Sequence, residues 1–358
     1  MEIDYISGAK TEEMFGISKY QFEIHKRLEK VITINQIQYS QPNSTIGNIW
    51  AGLFYYPLVV KKKIKKDNVK HIPTIYYTYI NCLVDLKKTI ATCYDLFIPW
   101  INTSSLKHYW WKLRVSGLKK SEKIITISNF TKREIVWKLE FPEDRIHVVY
   151  EGVDILKYKP SPKNHLIQEK YGLPSDKNIV LYVGSEQPRK NVSALIKAFA
   201  LARRKNKDIF FLKIGRPQWK NKRQQLISLI HELEIDNNVL IIDYVEEKDL
   251  PAIYNLCDLV VIPTLAEGGT SMPVLEAMAC GTPVITSNIP PLVETIGPDN
   301  VLMTDPLDTK ELADAIIEML NNNSLRNHFI EKGMNRTKQL SWENAAQETL
   351  KIYQSMMD

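Results

Sequence analysis

EGGTSMPVLEAMACGTPV, running from Glu267 to Val284, follows the apolar run LVVIP (259–263) and leads into PVITS (283–287). In order, this is a buried strand, a polar turn with two glycines, a short apolar helix and a second buried strand. Pro273 suits the first turn of a helix. Val274, Leu275, Ala277, Met278 and Ala279 give the helix its apolar surface, and Gly281 stops it. Strands that are apolar on both faces need cover on both faces, which is the condition of a parallel sheet. The helix N-terminus offers unpaired N–H groups and the positive end of a dipole. The loop Gly268, Gly269, Thr270 and Ser271 is therefore an anion site that a ligand can approach closely. Glu276 stands inside the apolar helix. A capping box would need Ser or Thr three residues earlier, where Pro273 stands. Two readings remain for Glu276: a surface glutamate, or a carboxylate that accepts hydrogen bonds from sugar hydroxyls, since an unpaired buried carboxylate is costly.

Outward from this stretch the alternation continues. NIVLYVG (178–184), FFLKIG (210–215) and VLIIDYV (239–245) read as strands. Helices are expected over 191–205, around 220–234, and through LPAIYNLC (250–257) and ELADAIIEML (311–320). In the N-terminal half, IDYIS, PTIYYTYI (73–80), TIATCYDLFIP (89–99) and KIITIS read as strands. GISKYQFEIHKRL is an amphipathic helix, and ISNFTKREIVWKL (127–139) is a strand followed by a helix capped by Ser128 or Asn129. Pro and Gly gather in EGVDILKYKPSPKN, between strand-like runs. The pattern predicts an α/β protein of two doubly wound domains, 1–155 and 156–340, with a helix at about 341–358 packing back on the first. Ligands of such sheets bind at the carboxyl ends of the strands, so two facing domains imply a cleft.

The chain of 358 residues has no apolar run near the ~18 residues of a membrane span. Its N-terminus lacks a basic segment followed by an apolar core, so no signal peptide is expected. Cys82, Cys93, Cys257 and Cys280 have neither metal nor disulfide spacing, and read as free thiols of a cytoplasmic protein. The net charge of +6 is uneven. Residues 1–150 hold 23 Lys and Arg against 14 Asp and Glu, leaving 24 against 27 for the rest. An anionic partner for the N-terminal half and a generally lysine-rich composition explain this equally well.

Four further places carry polar chemistry. In GSEQPRKN (184–191), Gly184 permits close approach, and Arg189 and Lys190 stand where a pyrophosphate would meet charge-assisted hydrogen bonds. Gly16 begins a helix after the first strand, and either brings an amide to a phosphate or only starts the helix. Asp95, after Tyr94 at a strand end, positions a sugar or caps a helix. SSLKHYWWKLRVSGLKK (104–120) interleaves Trp110 and Trp111 with Lys107, Lys112, Arg114, Lys119 and Lys120, and KKKIKKDNVK (61–70) adds charge. The two suit a helix in an anionic membrane interface, or a core helix beside a solvated lysine run.

Together EGGTSMPVLEAMACGTPVITS, YVGSEQPRKNVSALIKAF, IITISNFTKREI, EGVD (151–154) and LSWENAAQETLKIY resemble the retaining nucleotide-sugar glycosyltransferases of family 4. These have the GT-B fold, two Rossmann-like doubly wound parallel-sheet domains facing across a cleft. The resemblance implies an N-terminal acceptor domain and a C-terminal donor domain. It implies transfer of a hexose from a nucleotide-diphosphate sugar to a glycan or lipid-linked acceptor, with neither metal nor cofactor. Glu276 would bind the ribose. Glu267, with backbone amides near Gly269 to Ser271, would hold the sugar. Arg189 and Lys190 would stabilise the departing diphosphate, Gly16 would contact it, and the base would lie near Tyr244, Val245 and Glu246. Three features depart from the family pattern. Eight residues, not seven, separate Glu267 from Glu276, Tyr94 stands where many members have His, and Glu151 replaces the usual Asn before Gly-Val-Asp. The other activities open to this fold are a nucleotide-sugar epimerase, a phosphorylase, or a non-catalytic sugar-nucleotide binder. A nucleic-acid partner is not expected, and a peripheral place on the inner face of a membrane is.

Overall fold

The computed structural model describes residues 1–9, 16–40, 44, 47, 50–97 and 105–357. The chain divides into two units, Met1–Glu151 with Trp342–Asp358, and Gly152–Ser341. Among the described residues each unit holds one six-stranded, wholly parallel sheet.

In the first unit the strands are β1 (Glu2–Ala9), β2 (Thr33–Tyr39), β3 (Val69–Ile72), β4 (Thr89–Cys93), β5 (Lys123–Thr126) and β6 (Ile146–Val148). Their order is β2-β1-β3-β4-β5-β6. One sequence expectation fails here: PTIYYTYI is not a strand. The strand is VKHI just before it, buried at all four positions. Pro73 lacks the N–H that a ladder needs. Thr74 then accepts a hydrogen bond from the Tyr76 amide at 3.3 Å and opens a tight helical turn, Ile75–Tyr77. Strand β4 likewise ends at Cys93, and Ile98 and Pro99 of the expected strand lie outside the described residues. Ser128, not Asn129, caps the helix Asn129–Leu139, accepting from the Thr131 amide at 3.0 Å.

The helix Trp342–Gln354 belongs to this first unit, against the helix Ile17–Leu28. Trp342 is fully buried, edge-on to Tyr20 with ring centroids 5.5 Å apart. Tyr353 reaches the sheet, its hydroxyl 2.5 Å from Nδ1 of His71, whose Nε2 lies 2.8 Å from the Thr92 hydroxyl.

The second unit contains β7 (Asn178–Val183), β8 (Ile209–Ile214), β9 (Val239–Ile242), β10 (Leu259–Ile262), β11 (Val284–Ser287) and β12 (Leu302–Thr304). Their order is β12-β11-β10-β7-β8-β9. Leu259, Val260, Val261 and Ile262 are all buried, the double-sided cover that their unbroken apolar run required. Fully burying such side chains is worth about 1.5–3 kcal/mol each. Within this unit the segments near its two ends run side by side, the Val153 amide donating to the Leu340 carbonyl at 2.9 Å.

No described helix is long and apolar enough to cross a membrane. The four cysteines are free, and Cys93, Cys257 and Cys280 are buried.

Candidate active site

The strand order of the second unit reverses between β7 and β10. From there the chain winds outward to β8 and β9 on one side and to β11 and β12 on the other. Loops leaving the carboxyl ends of two strands at such a point diverge and leave a crevice. Here they are the loop after β7, with Arg189 and Lys190, and the loop after β10, with Glu267. Arg189 Nη1 lies 2.8 Å from Glu267 Oε2, and Lys190 Nζ pairs with Oε1. The loops are also joined through backbone: the Leu265 amide donates to the Arg189 carbonyl at 2.7 Å, and Arg189 Nη1 to the Ala266 carbonyl at 3.0 Å. Glu267 is buried. Burial opposes its ionisation, but Lys190 and then Arg189 outweigh it and hold the carboxyl below its ordinary range.

After the Gly268–Gly269 turn, Ser271 occupies the N-cap of the helix Met272–Ala279 without using its side chain to cap it. Among the described residues the hydroxyls of Thr270 and Ser271 are buried and have no hydrogen-bond partner. A buried hydroxyl left unpaired costs about 1–3 kcal/mol, so two at one helix N-terminus suit a polar ligand. The helix ends in a Schellman motif: the Thr282 amide bonds the Ala277 carbonyl at 3.0 Å, the Gly281 amide bonds that of Met278 at 3.1 Å, and Gly281 has φ +72°.

Glu276 is 3% exposed, which removes the surface-glutamate reading. Tyr254 donates its hydroxyl to Oε2 at 2.9 Å. The Tyr254 ring meets Tyr158 edge-on at 6.1 Å. Burial first, and Glu276 second, push both phenols well up, so both stay protonated: Tyr254 fixes the Glu276 carboxylate, and Tyr158 donates to Glu247 Oε1 at 3.2 Å.

A second charged group at this sheet end was not anticipated from the sequence. Glu186, three residues before Arg189, accepts from Lys213 Nζ at 2.6 Å and from Arg223 Nε at 2.7 Å, both at Oε1. Arg223 Nη1 continues to Asp243 Oδ1 at 2.7 Å. Lys213 is inside β8, and Asp243 directly follows β9. The cluster thus ties the loops after β7, β8 and β9 together. Burial lowers the Lys213 pKa, against the opposing pull of Glu186. The one sequence signal was Lys213 itself, a charge inside the apolar run FFLKIG. Gly184 and Gly215 touch at the same place: a Cβ on Gly215 would come 2.2 Å from the Gly184 carbonyl oxygen. At the end of β9, Tyr244 is half exposed with the Arg216 guanidinium over its ring at 5.4 Å, and Val245 is buried.

The remaining sequence candidates lie in the first unit. Gly16 precedes the helix Ile17–Leu28 with φ +48°, and its Cβ position is open. Tyr94 is buried and donates to the Pro73 carbonyl at 3.1 Å, with its ring edge-on to Tyr20. Asp95 Oδ1 accepts from the Phe97 amide at 3.2 Å. Ser104 and the side chain of Lys107 lie outside the described residues. In the helix Ser105–Lys119, Trp110 and Trp111 pack against the two hydrophobic clusters of this unit, and Leu118 is fully buried. Arg114 lies over the Tyr76 ring at 5.1 Å. Its aromatic side therefore serves the core, while Lys112, Lys119 and Lys120 are exposed. Within 61–70, Lys70 is turned inward, its Nζ bonding the carbonyls of Lys66 and Asn68 at 2.7 and 2.6 Å.

Residues 163–336 match the family described as glycosyl transferases group 1, and residues 25–156 match glycosyltransferase family 4. The chain belongs to the group 1 glycosyltransferases. This glycosyltransferase is 27% identical to O-antigen chain mannosyltransferase B of Escherichia coli, over 99% of each chain. It is 26% identical, over 72% of its length, to the serotype-specific mannosyltransferase WbdA of the same organism, spanning about a third of that longer protein. Among solved structures, Anabaena HepE in complex with UDP and glucose superposes with a TM-score of 0.81 at 18% identity, covering 99% of this chain and 100% of that one. Sucrose-phosphate synthase from Thermosynechococcus elongatus superposes with a TM-score of 0.79 at 17% identity, over 99 and 98%. Two Rossmann-like domains with these neighbours make the fold GT-B.

Proposed function

We propose that this glycosyltransferase moves a hexose-type sugar from a nucleotide-diphosphate sugar to a glycan or lipid-linked acceptor, retaining the anomeric configuration and using neither metal nor cofactor. The observation that carries the reading is the convergence at one switch point of Arg189, Lys190 and Glu267 with the buried, unpartnered hydroxyls of Thr270 and Ser271 at a helix N-terminus. In this reading Arg189 and Lys190 hold the diphosphate and stabilise its growing charge as it leaves. Backbone amides of Gly268 to Ser271 and the Glu267 carboxylate hold the sugar. Glu276, held by Tyr254, receives the ribose hydroxyls. The base lies by Tyr244 and Val245, with Gly184 and Gly215 leaving room for close approach. To Gly16 we assign an amide contact to the diphosphate, and to Asp95 positioning of the sugar, both from the resemblance alone.

The bond from the anomeric carbon to the phosphate oxygen breaks, and the acceptor oxygen bonds on the same face. Its proton passes to the departing phosphate oxygen. A hexose donor is supported by relatives named mannosyltransferases, and a nucleotide-sugar donor by the HepE complexes with UDP and UDP-glucose. A lipid-linked acceptor would be met at the inner face of a membrane by a cytoplasmic enzyme. The exposed Lys112, Lys119 and Lys120, with the run from Lys61 to Lys66, support this.

A thermal-shift panel of UDP, GDP and ADP sugars identifies the donor, since a bound donor stabilises the native state. With that donor, Glu276→Gln lowers turnover by about two orders of magnitude, as when a preorganised binding contact is removed, while melting unchanged within a few degrees. Normal turnover by this variant would sink the assignment.

A further inference from the structure

Trp50, Phe54 and Leu58 recur at helical spacing and are 58, 59 and 66% exposed, with Tyr55 beside them at 47%. Trp50 and Tyr55 stack, with ring planes 14° apart and centroids at 6.4 Å. They stand on a π-helical turn, Ala51–Tyr55, that runs into the helix Tyr56–Lys63. The opposite side of the same segment is in the core. Ala51, Tyr56 and Val60 are buried, and the Tyr56 hydroxyl accepts from the Gly8 amide at 2.8 Å and donates to the Ile37 carbonyl at 3.1 Å. The segment is thus apolar on both sides, with one side anchored and the other in water. Large apolar side chains grouped on a surface mark an interaction site.

The ridge leads directly into Lys61, Lys62, Lys63, Lys65 and Lys66, all exposed. Lys65 pairs with Glu2 at 2.6 Å. Among the described residues no carboxylate pairs with the other four.

We propose that this edge docks on an anionic lipid bilayer. Trp50, Phe54 and Leu58 enter the boundary between headgroups and acyl chains, and the lysines meet the headgroup charge. The charge decides the occupant. A second copy of the chain seated on the ridge would present the same edge with the same five lysines, and so no complementary negative charge, whereas an anionic surface supplies it. The proposal rests on the membrane-facing part of the function above and gives it a surface. That surface is not the tryptophan face of the helix Ser105–Lys119, which is spent on the core.

The test is sedimentation of the full chain with vesicles of phosphatidylcholine, with and without phosphatidylglycerol. Two surface variants are compared: W50S/F54S/L58S, and K61Q/K62Q/K63Q/K66Q. Their melting temperatures and their donor-induced thermal shifts confirm that the fold and the donor site are intact. The wild type pellets with the anionic vesicles. The lysine variant loses about fivefold in partition per lysine at low salt, and the ridge variant loses at least about tenfold at any salt. Equal pelleting of the ridge variant and the wild type overturns the proposal. So does a concentration-dependent dimer that the ridge variant abolishes without any vesicle binding, and so does a ridge variant that keeps its fold but loses its donor shift. Failure of Glu276→Gln to lower turnover strikes the donor-site reading alone, because vesicle binding needs no donor.

Discussion

At the scale of residues, Glu186 shows how one buried charge can fasten together the loops at a sheet end. Its carboxylate is fully buried against Lys213, with Arg223 on the same oxygen. Removing one partner of such a pair strands the other in low dielectric, whereas replacing both with apolar groups of similar size is often neutral. Glu186→Leu is therefore expected to cost about 3–5 kcal/mol in urea denaturation, and adding Lys213→Met to it recovers most of that loss. If the double variant is no more stable than the single, the pair is not the unit described. None of this was legible in the sequence beyond one odd lysine, because the partners are far apart in the chain and only the sheet brings them together. The residues proposed to meet the ligand were more visible. Arg189, Lys190, Glu267 and Glu276 stand next to glycines and helix starts, local features that a sequence displays directly. What the sequence did not display is that Glu267 is held by the two cations of its own site.

At the scale of elements, legibility followed burial. The central strands of the second unit are covered on both faces and announce themselves as apolar runs. The first unit's β2, at a sheet edge, reads TINQIQY with only Ile37 and Tyr39 buried, and β6 and β12 have three residues each at edges. Edge strands are short and polar because they face water, and so they resemble loops. The helix Ser105–Lys119 was ambiguous for a different reason. An apolar face that fits a lipid also fits a core, and only tertiary context chose the core for Trp110 and Trp111. The helix Met272–Ala279 was read from Pro273 and Gly281, and the Schellman motif explains why the glycine works. Gly281→Ala is expected to lose about 1–2 kcal/mol, from a left-handed backbone and a Cβ placed 3.3 Å from Pro160 Cγ. A thermal melt of that variant measures the cost, and no loss would mean that the helix end relaxes freely.

At the scale of the whole molecule, the helix Trp342–Gln354 is fastened to the sheet of the first unit through His71 and Tyr353. Burial lowers the His71 pKa to about 3, so the ring is neutral in the fold. Its ordinary value is about 6.5. Between the two values the unfolded chain binds a proton that the folded chain refuses. This contribution is complete above about pH 6.5 and declines by about 1.4 kcal/mol per pH unit as the pH falls toward 3. Stability measured between about pH 6 and 5, above most carboxylate titration, is expected to fall more steeply for the wild type than for His71→Gln. Parallel slopes would show that the helix does not depend on the neutral ring.

Because the first unit is built from Met1–Glu151 together with Trp342–Asp358, order of synthesis and order of completion differ. At a translation rate of about 5–20 residues per second, the whole of Gly152–Ser341 takes roughly 10 to 40 seconds to emerge. During that time the nascent sheet has no Trp342 to cover Tyr20 and no Tyr353 to meet His71. The second unit can close first, and the newborn first unit waits with an uncovered apolar face, the kind of transiently exposed surface that invites aggregation.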